Sequence, residues 1–475
     1  MFYSSIVIRD DFQFRLINKK LLERIKQKHN SKIIILLNSL QAKKEYNEYL
    51  EKGVINEVKY FESFEKRSTD STEEVLERSA RLEKTINMNY NALRMMDRSL
   101  GQEFYLGAPN LPNSPGAKLN YLDIINYYNN YLQELISYLK KHKTELFIAP
   151  SATDEIVCRS LRIKCRILSS SRIENLWLWS DSHKFKPPNI KRDYLKIKKK
   201  GKGDKTVLSQ SYFHDQLWRK KMKVLPEIRI IKRVYELLKR QAYYFLKPTD
   251  KRYFFFSFLK YIFNEYYYYR KFTSKNNPLL KDIRYKFVYF PLSTEPEYAI
   301  HVASQECFDQ VNVIASVSRD LPANIFLVVK ENVYTLGTRS NEFFKKIRKF
   351  KNVIFININE NSLDIIKKSC AVVTISGSAG LEAAIQGVPV INYGKNNFYD
   401  FLPHVHNVST GEMIYKQILR IFQNSNRTEA IKNGNYLKEA LIKNSFDMDL
   451  FTNMNRNKFN QRNIEIALNS LENNK

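Results

Sequence analysis

The chain reads as an α/β protein: two Rossmann-like, doubly wound units with a helical segment between them that is first basic and then aromatic. Three observations predict this. At 475 residues the chain exceeds one ordinary core. In both halves, short apolar runs of strand length alternate with helical segments, which is the order that builds parallel sheets. Between the halves the composition changes abruptly. The division that follows is 1–183, 184–282, 283–424 and a polar helical tail, 425–475.

In the first half, Ile33 to Leu37 is a continuous apolar run of strand length, followed by a polar helix-like segment from Gln41 to Lys52. Glu73 to Leu100 suits one or two helices. Tyr121 to Leu139 places Ile124, Tyr128, Leu132, Leu135 and Leu139 on one helical face. Leu146 to Ala149 is a strand stopped by Pro150, and Arg162 to Leu168 is the next. From Lys184 to Lys205, ten Lys or Arg stand against two acids among prolines and glycines, the composition of a linker or exposed loop. Ile230 to Phe245 recovers a helical pattern with Ile231, Val234, Tyr235, Leu238 and Ala242 on one side. The aromatic runs Tyr253 to Leu259 and Tyr266 to Tyr269, flanked by cations, suit either a membrane interface or a packed helical layer.

The second half carries five strand candidates: Phe287–Phe290, Ile325–Val329, Val353–Ile356, Ala371–Ile375 and Val388–Asn392. Helical segments, including His301 to Ser318 and Asn341 to Lys349, separate them. In such sheets ligands bind beyond the carboxyl ends of the strands. Three polar clusters fall there. The first strand delivers Ser293, Thr294 and Glu297; the second delivers Lys330, Glu331 and Asn332; the fourth delivers Ser376, Gly377, Ser378, Ala379 and Gly380, with Glu382 placed in the first helical turn. Glycines let a ligand approach the main chain, and a helix start offers free N–H groups to an anion. Each residue also has a structural reading: Ser376 or Ser378 as a helix cap, Glu382 as a complement to the helix dipole.

Composition bounds the partners. Subtracting 49 acidic from 78 basic residues leaves +29, which calls for an acidic partner: an activated nucleotide substrate, an anionic membrane surface or nucleic acid. No nucleic-acid recognition module accompanies the charge, so nucleic acid is the least favoured of the three. Cys158, Cys165, Cys307 and Cys370 show neither metal nor redox spacing, and the seven histidines form no metal set. No cofactor is expected. Residues 1–9 lack a basic leader before an apolar run, and a cytoplasmic protein, peripheral on the inner face of the membrane, is the expectation.

The stretch Phe287 to Glu297, then Leu327 to Glu331, then Val372 to Glu382 with Gly387 to Ile391, resembles in order and spacing the capsule polysaccharide biosynthesis family. A weaker likeness extends to Asp97-Arg98 and Ser169 to Ile173. The resemblance implies a metal-independent GT-B glycosyltransferase of bacterial surface polysaccharide synthesis, with the acceptor on the N-terminal side and the nucleotide-sugar on the C-terminal domain. The acceptor would be a polysaccharide or glycolipid. A nucleotide-sugar epimerase and a catalytically silent relative are the alternatives. Under this reading Glu297, Lys330 and Glu331 are the catalytic candidates, with Asp154 or Glu155 as substitute bases, and Ser293, Thr294, Asn332, Ser376–Gly380 and Glu382 contact substrate. The family commonly has Lys-Glu-His-Pro where this chain has Lys330-Glu331-Asn332-Val333. Asn332 can hydrogen-bond a phosphate but cannot donate a proton as an imidazolium does.

Overall fold

A computed structural model describes residues 3–11, 15–61, 70–109, 119–173, 176–185, 187, 189–201, 226–246, 255–295, 297–409, 411–424, 426–447 and 461–472. Two compact units emerge, and neither is contiguous in sequence. One comprises Met1–Asp97, Leu119–Ile190 and Leu441–Lys475; the other comprises Arg98–Lys118 and Lys191–Ala440. Residues 98–118 thus leave the first half for the second unit, and the end of the tail returns to the first.

The first unit holds strands β1 (Ser5–Arg9), β2 (Lys32–Leu37), β3 (Glu57–Tyr60), β4 (Leu146–Ile148), β5 (Lys164–Ser170) and β6 (Leu176–Ser180). They lie in the order β3-β2-β1-β4-β5, all parallel, with β6 antiparallel beside β5 and the short strand Phe446–Asp447 antiparallel beside β6. Strand order reverses between β1 and β4. Residues Ile33 to Leu37 are buried, as a strand covered on both faces requires. The helix Tyr121–Lys141 starts at Asn120, whose side chain accepts from the Asp123 N–H, and buries the expected face from Ile124 to Leu139. The segment expected as a helix after Gln41 is mostly a 3-10 turn, Leu40–Tyr46, before a short helix, Asn47–Glu51. The tail is not uniformly polar: Phe446, Ile464, Ala467, Leu468 and Leu471 join this unit's core.

The basic stretch expected as linker contains a helix, Ile190–Lys200; residues 202–205 lie outside the described part. Two longer helices follow in the second unit, Pro226–Leu246 and Phe255–Thr273; Tyr253 and Phe254 also lie outside it. The inner face of the second helix, Tyr268 and Phe272, enters the core against Phe344 and Phe355. The first helix departs from expectation. Leu237 is buried, whereas Ile231, Tyr235 and Leu238 of the apolar stripe point outward.

The sheet of this unit has β7 (Lys286–Pro291), β8 (Ile325–Lys330), β9 (Val353–Phe355), β10 (Ala371–Thr374), β11 (Val390–Asn392) and β12 (Val405–Asn407). Their order is β12-β11-β10-β7-β8-β9, parallel throughout. The five expected strands are present and β12 extends them. The helix expected from His301 to Ser318 is broken into Tyr298–His301, a 3-10 turn at Gln305–Cys307 and Gln310–Asp320. The chain runs outward through β8 and β9 and returns on the other side of β7 as β10, so the crevice expected of such a sheet opens beyond the carboxyl ends of β7 and β10.

Candidate active site

All three polar clusters belong to neighbouring parallel strands, β10, β7 and β8, so they share one edge of the sheet. Beyond β10 the turn is closed from below: the Gly377 N–H donates to Thr374 Oγ1 at 3.0 Å. The helix Ser378–Ile385 then begins with Gly377 as its cap residue, and no side-chain cap bond is formed there among the described residues. Neither serine is the cap. Ser376 Oγ donates to the Ile375 carbonyl at 2.7 Å and lies 2.7 Å from Ser304 Oγ. The first helical N–H groups, those of Ser378, Ala379 and Gly380, therefore present an uncapped, electropositive end. Glu382 is the fifth helical residue and buried, not a first-turn acid.

The two glycines differ in role. At Gly377 an added Cβ would make ordinary contact, 3.4 Å from Thr374 Oγ1. At Gly380 it would collide with the Tyr399 hydroxyl and the Thr374 methyl. Gly380 is needed for packing the helix, while Gly377 lies at the approach to it. Gly394 is tighter still, against Ile375, Ser376 and Ser304, and seats the β11 loop on this turn. Asn397 ties the same loop down, donating to the Ile375 carbonyl at 3.1 Å and to Asn392 Oδ1 at 2.7 Å.

Beyond β7 the main chain at Ser293 is held by Gln310, which accepts the Ser293 N–H at 2.8 Å and donates to its carbonyl at 3.1 Å. Among the described residues no partner holds the hydroxyl of Ser293 or Thr294, or the carboxylate of half-exposed Glu297. The Glu297 carbonyl accepts from the His301 N–H at 3.0 Å. His301 is buried, edge-on to Tyr105 at 4.4 Å between ring centres. Burial pushes its pKa below the ordinary histidine range, although Glu295 and the carbonyls of Glu297 and Phe104 pull it upward.

The cluster beyond β8 divides. Lys330 pairs in register with Pro291, is largely buried, and donates from Nζ to Ser362 Oγ at 3.1 Å. Asn332 is half-exposed one residue past Glu331. Glu331, expected among the catalytic carboxylates, is enclosed: Arg339 Nε lies 2.9 Å from one of its oxygens and 3.2 Å from the other, and its own neighbour Asn332 donates a main-chain N–H at 2.6 Å. Burial raises the Glu331 pKa while Arg339 opposes the shift. A carboxylate held this way is tied to its own loop by these partners.

Sequence reasoning passed over the centre of this cluster. Glu295, buried within the Pro291–Glu297 segment, binds Arg339 Nη1 at 3.1 Å, the Gln310 amide, and the Gly107 N–H at 2.9 Å. A Cβ on Gly107 would strike that carboxylate. Arg339 also donates to the Ser293 carbonyl, so one guanidinium fixes the loops after β7 and β8. The only local signal was a second acid two residues before Glu297.

The substitute bases are in the first unit and are occupied. Asp154 is fully buried and ion-paired with Arg9 at 2.5 Å, with Tyr131 as a further donor. Glu155 accepts from Arg159 at 2.6 Å, Ser182 at 2.7 Å and the His183 N–H at 2.7 Å. Among the described residues, no group of three or more His, Cys, Asp or Glu could hold a metal ion. The sequence has one Asp-x-Asp triplet, Asp447-Met448-Asp449; Asp447 ends the short strand beside β6, and the other two residues lie outside the described part.

Two Rossmann-like units, each a sheet flanked by helices, with a helical middle region, give this chain a GT-B-like architecture. Residues 235–402 match the family described as "Capsule polysaccharide biosynthesis protein", a span that takes in the loops after β7, β8 and β10. No curated protein matches the chain. Similar solved structures include a putative UDP-N-acetylglucosamine 2-epimerase from Listeria monocytogenes, with 9% identity, 93% of this chain and 95% of that one covered, and a TM-score of 0.28. Another is a KpsC β-Kdo 2,7-transferase from Thermosulfurimonas dismutans, with 16% identity, 64% and 80% covered, and a TM-score of 0.32. A third is a glycosyltransferase from Rickettsia africae, with 11% identity, 99% of each chain covered, and a TM-score of 0.30. No residue role follows from likenesses this distant.

Proposed function

We propose that the protein handles a nucleotide-sugar as a GT-B glycosyltransferase, moving the sugar to a polysaccharide or lipid-linked acceptor in surface glycan assembly at the inner face of a membrane. The observation that carries this reading is the uncapped helix start at Ser378 after β10, together with the Ser293 and Thr294 hydroxyls after the adjacent β7, which have no partner among the described residues, at the strand-order reversal. The family match across the same loops supports it.

In this reading the Ser378–Gly380 N–H groups and Lys330 hold the donor phosphates. An acceptor hydroxyl attacks the anomeric carbon, the bond from that carbon to the phosphate oxygen breaks, and the nucleotide leaves with the bonding pair. Its growing negative charge is what preorganised N–H donors stabilise. The hydroxyl proton passes to Glu297 if the reaction inverts. Ser293 and Thr294 accept from, or donate to, the donor's hydroxyls.

Thermal shift with a panel of CMP-, UDP- and GDP-sugars tests the donor site. A true donor at a hundredfold excess over Kd stabilises by about 2.7 kcal/mol. Transfer to a glycan acceptor should then follow with the stabilising donor alone. Isomerisation of a UDP-sugar without acceptor would identify an epimerase instead, and stabilisation without any turnover would identify a silent relative. No shift with any donor overturns the reading.

A further inference from the structure

The helices Pro226–Leu246 and Phe255–Thr273 pack on each other through Arg233 and Glu265, and through a 2.8 Å bond from the Tyr266 hydroxyl to Glu227. Each keeps a second apolar stripe facing away from the protein. On the first helix Ile228, Ile231, Tyr235 and Leu238 are all more than half exposed, at 53, 69, 57 and 52%. At about 100° per residue they share an arc of roughly 80°, with exposed Lys232 and Lys239 along one border. On the second helix the exposed residues are Phe256, Lys260, Phe263, Tyr267 and Arg270, again within an arc of roughly 80°. Phe256 is 82% exposed. Cations are thus interspersed among aromatic side chains along that line.

Burial in the protein's own core does not explain these stripes, because the core takes the opposite residues, Leu237, Ile262, Tyr268 and Phe272. Among the described residues no helix is long and apolar enough to cross a membrane. An exposed stripe of aromatic and aliphatic side chains bordered by Lys and Arg is the composition of a helix that lies in the headgroup layer, its apolar groups entering the acyl boundary and its cations meeting lipid phosphates. The net charge of +29 favours the same anionic surface. A second copy of the chain fits less well: an isologous pairing of the stripes would bring Lys232 and Lys239 towards their own copies.

We propose that the outward faces of these two helices form a docking surface for an anionic phospholipid membrane. The inference rests on the membrane part of the function above, and its failure would leave the transfer reaction untouched.

The test uses the full chain and sedimentation with two kinds of vesicle, pure phosphatidylcholine and phosphatidylcholine containing phosphatidylglycerol. The protein should sediment with the second kind and not the first, and raised salt should release it, because the cations act within a Debye length. The double variants I231S/L238S and F256S/F263S remove only exposed side chains, so each should keep the wild-type Tm. Each should also weaken vesicle partitioning by on the order of tenfold or more. Wild-type partitioning by either variant, or equal binding to both vesicle types, overturns the proposal. So does a stable dimer in solution that either variant dissolves.

Discussion

Arg339 and Glu295 form an ion pair at 3.1 Å in which both side chains are essentially inaccessible to water, and the same guanidinium also serves Glu331. One cation therefore compensates two buried carboxylates. Replacing Arg339 with Met would strand both acids in a medium that solvates them poorly. Breaking a buried pair in this way typically costs about 3–5 kcal/mol. Arg339→Met should accordingly lower the urea midpoint by that equivalent, and Glu295→Gln by less, because Arg339 retains Glu331. A midpoint unchanged in Arg339→Met would show that the cluster contributes no support to the loops.

The glycines of the turn after β10 should separate folding from binding. Gly380→Val places a branched side chain against Thr374 and Tyr399, and overpacking of this kind costs about 1–3 kcal/mol. It should reduce Tm whether or not donor is present. Gly377→Ala meets only ordinary contact and should leave the apo Tm near wild type. If donor phosphate reaches the helix start past Gly377, this variant should nevertheless lose most of the donor-induced shift.

Lys330 tests the transfer step. Asn332 stands where the resembling family commonly has histidine, and Lys330, the last residue of β8, is the cation assigned to the donor phosphates in the proposed reading. Lys330→Ala should reduce kcat by on the order of 100- to 1000-fold, more than it reduces donor affinity, since charge on the leaving nucleotide grows towards the transition state. Asn332→His should be tolerated. Steady-state kinetics with the stabilising donor measures both.

Glu297→Gln distinguishes a base from a structural acid. The carboxylate has no protein partner among the described residues, so its loss should leave stability unaltered and the donor thermal shift intact. Turnover should fall by on the order of 100-fold or more if Glu297 takes the acceptor proton. Wild-type turnover in this variant would assign the base elsewhere.

His301 predicts a pH effect on stability. Its folded pKa is lowered by burial, so the folded protein keeps the ring neutral while the unfolded chain takes up a proton below about 6.5. Above that pH the histidine contributes nothing. As pH falls through it, stability is lost by at most about 1.4 kcal/mol per pH unit until the folded pKa is reached. Urea midpoints at pH 7.5 and 5.5 should therefore drop more in wild type than in His301→Gln, and equal drops would contradict a buried neutral ring.

Much of the second unit was legible in the sequence because fully covered parallel strands must be apolar throughout, and β7, β8, β10 and β11 announce themselves as short runs such as Phe287–Phe290, with the half-buried edge strand β9 apolar as well. The same rule placed the polar clusters at their carboxyl ends. In the first unit β1, β3 and β6 were missed: β1 sits at the chain start, the four residues of β3 are only half-buried, and β6 is an antiparallel strand of tryptophans and leucines. A helical period also fixed the amphipathic stripe of Pro226–Leu246 without fixing its direction. A period locates residues on a common face; only the neighbouring elements decide whether that face turns towards the core or outward.

The alternation of strand and helix, and the glycines, hydroxyls and charges at strand ends, were readable from residue order because they follow from local burial and backbone geometry. Which of the charges meets solvent was decided by tertiary structure alone. Glu295, Glu297 and Glu331 are similar acids in the loops after β7 and β8, yet Arg339, forty-four residues beyond Glu295, encloses two of them and leaves the third half-exposed. The reason is electrostatic: an ionised carboxylate is retained in the interior beside a matching cation, and for Glu295 that cation, distant along the chain, is brought into place by the pairing of β7 with β8.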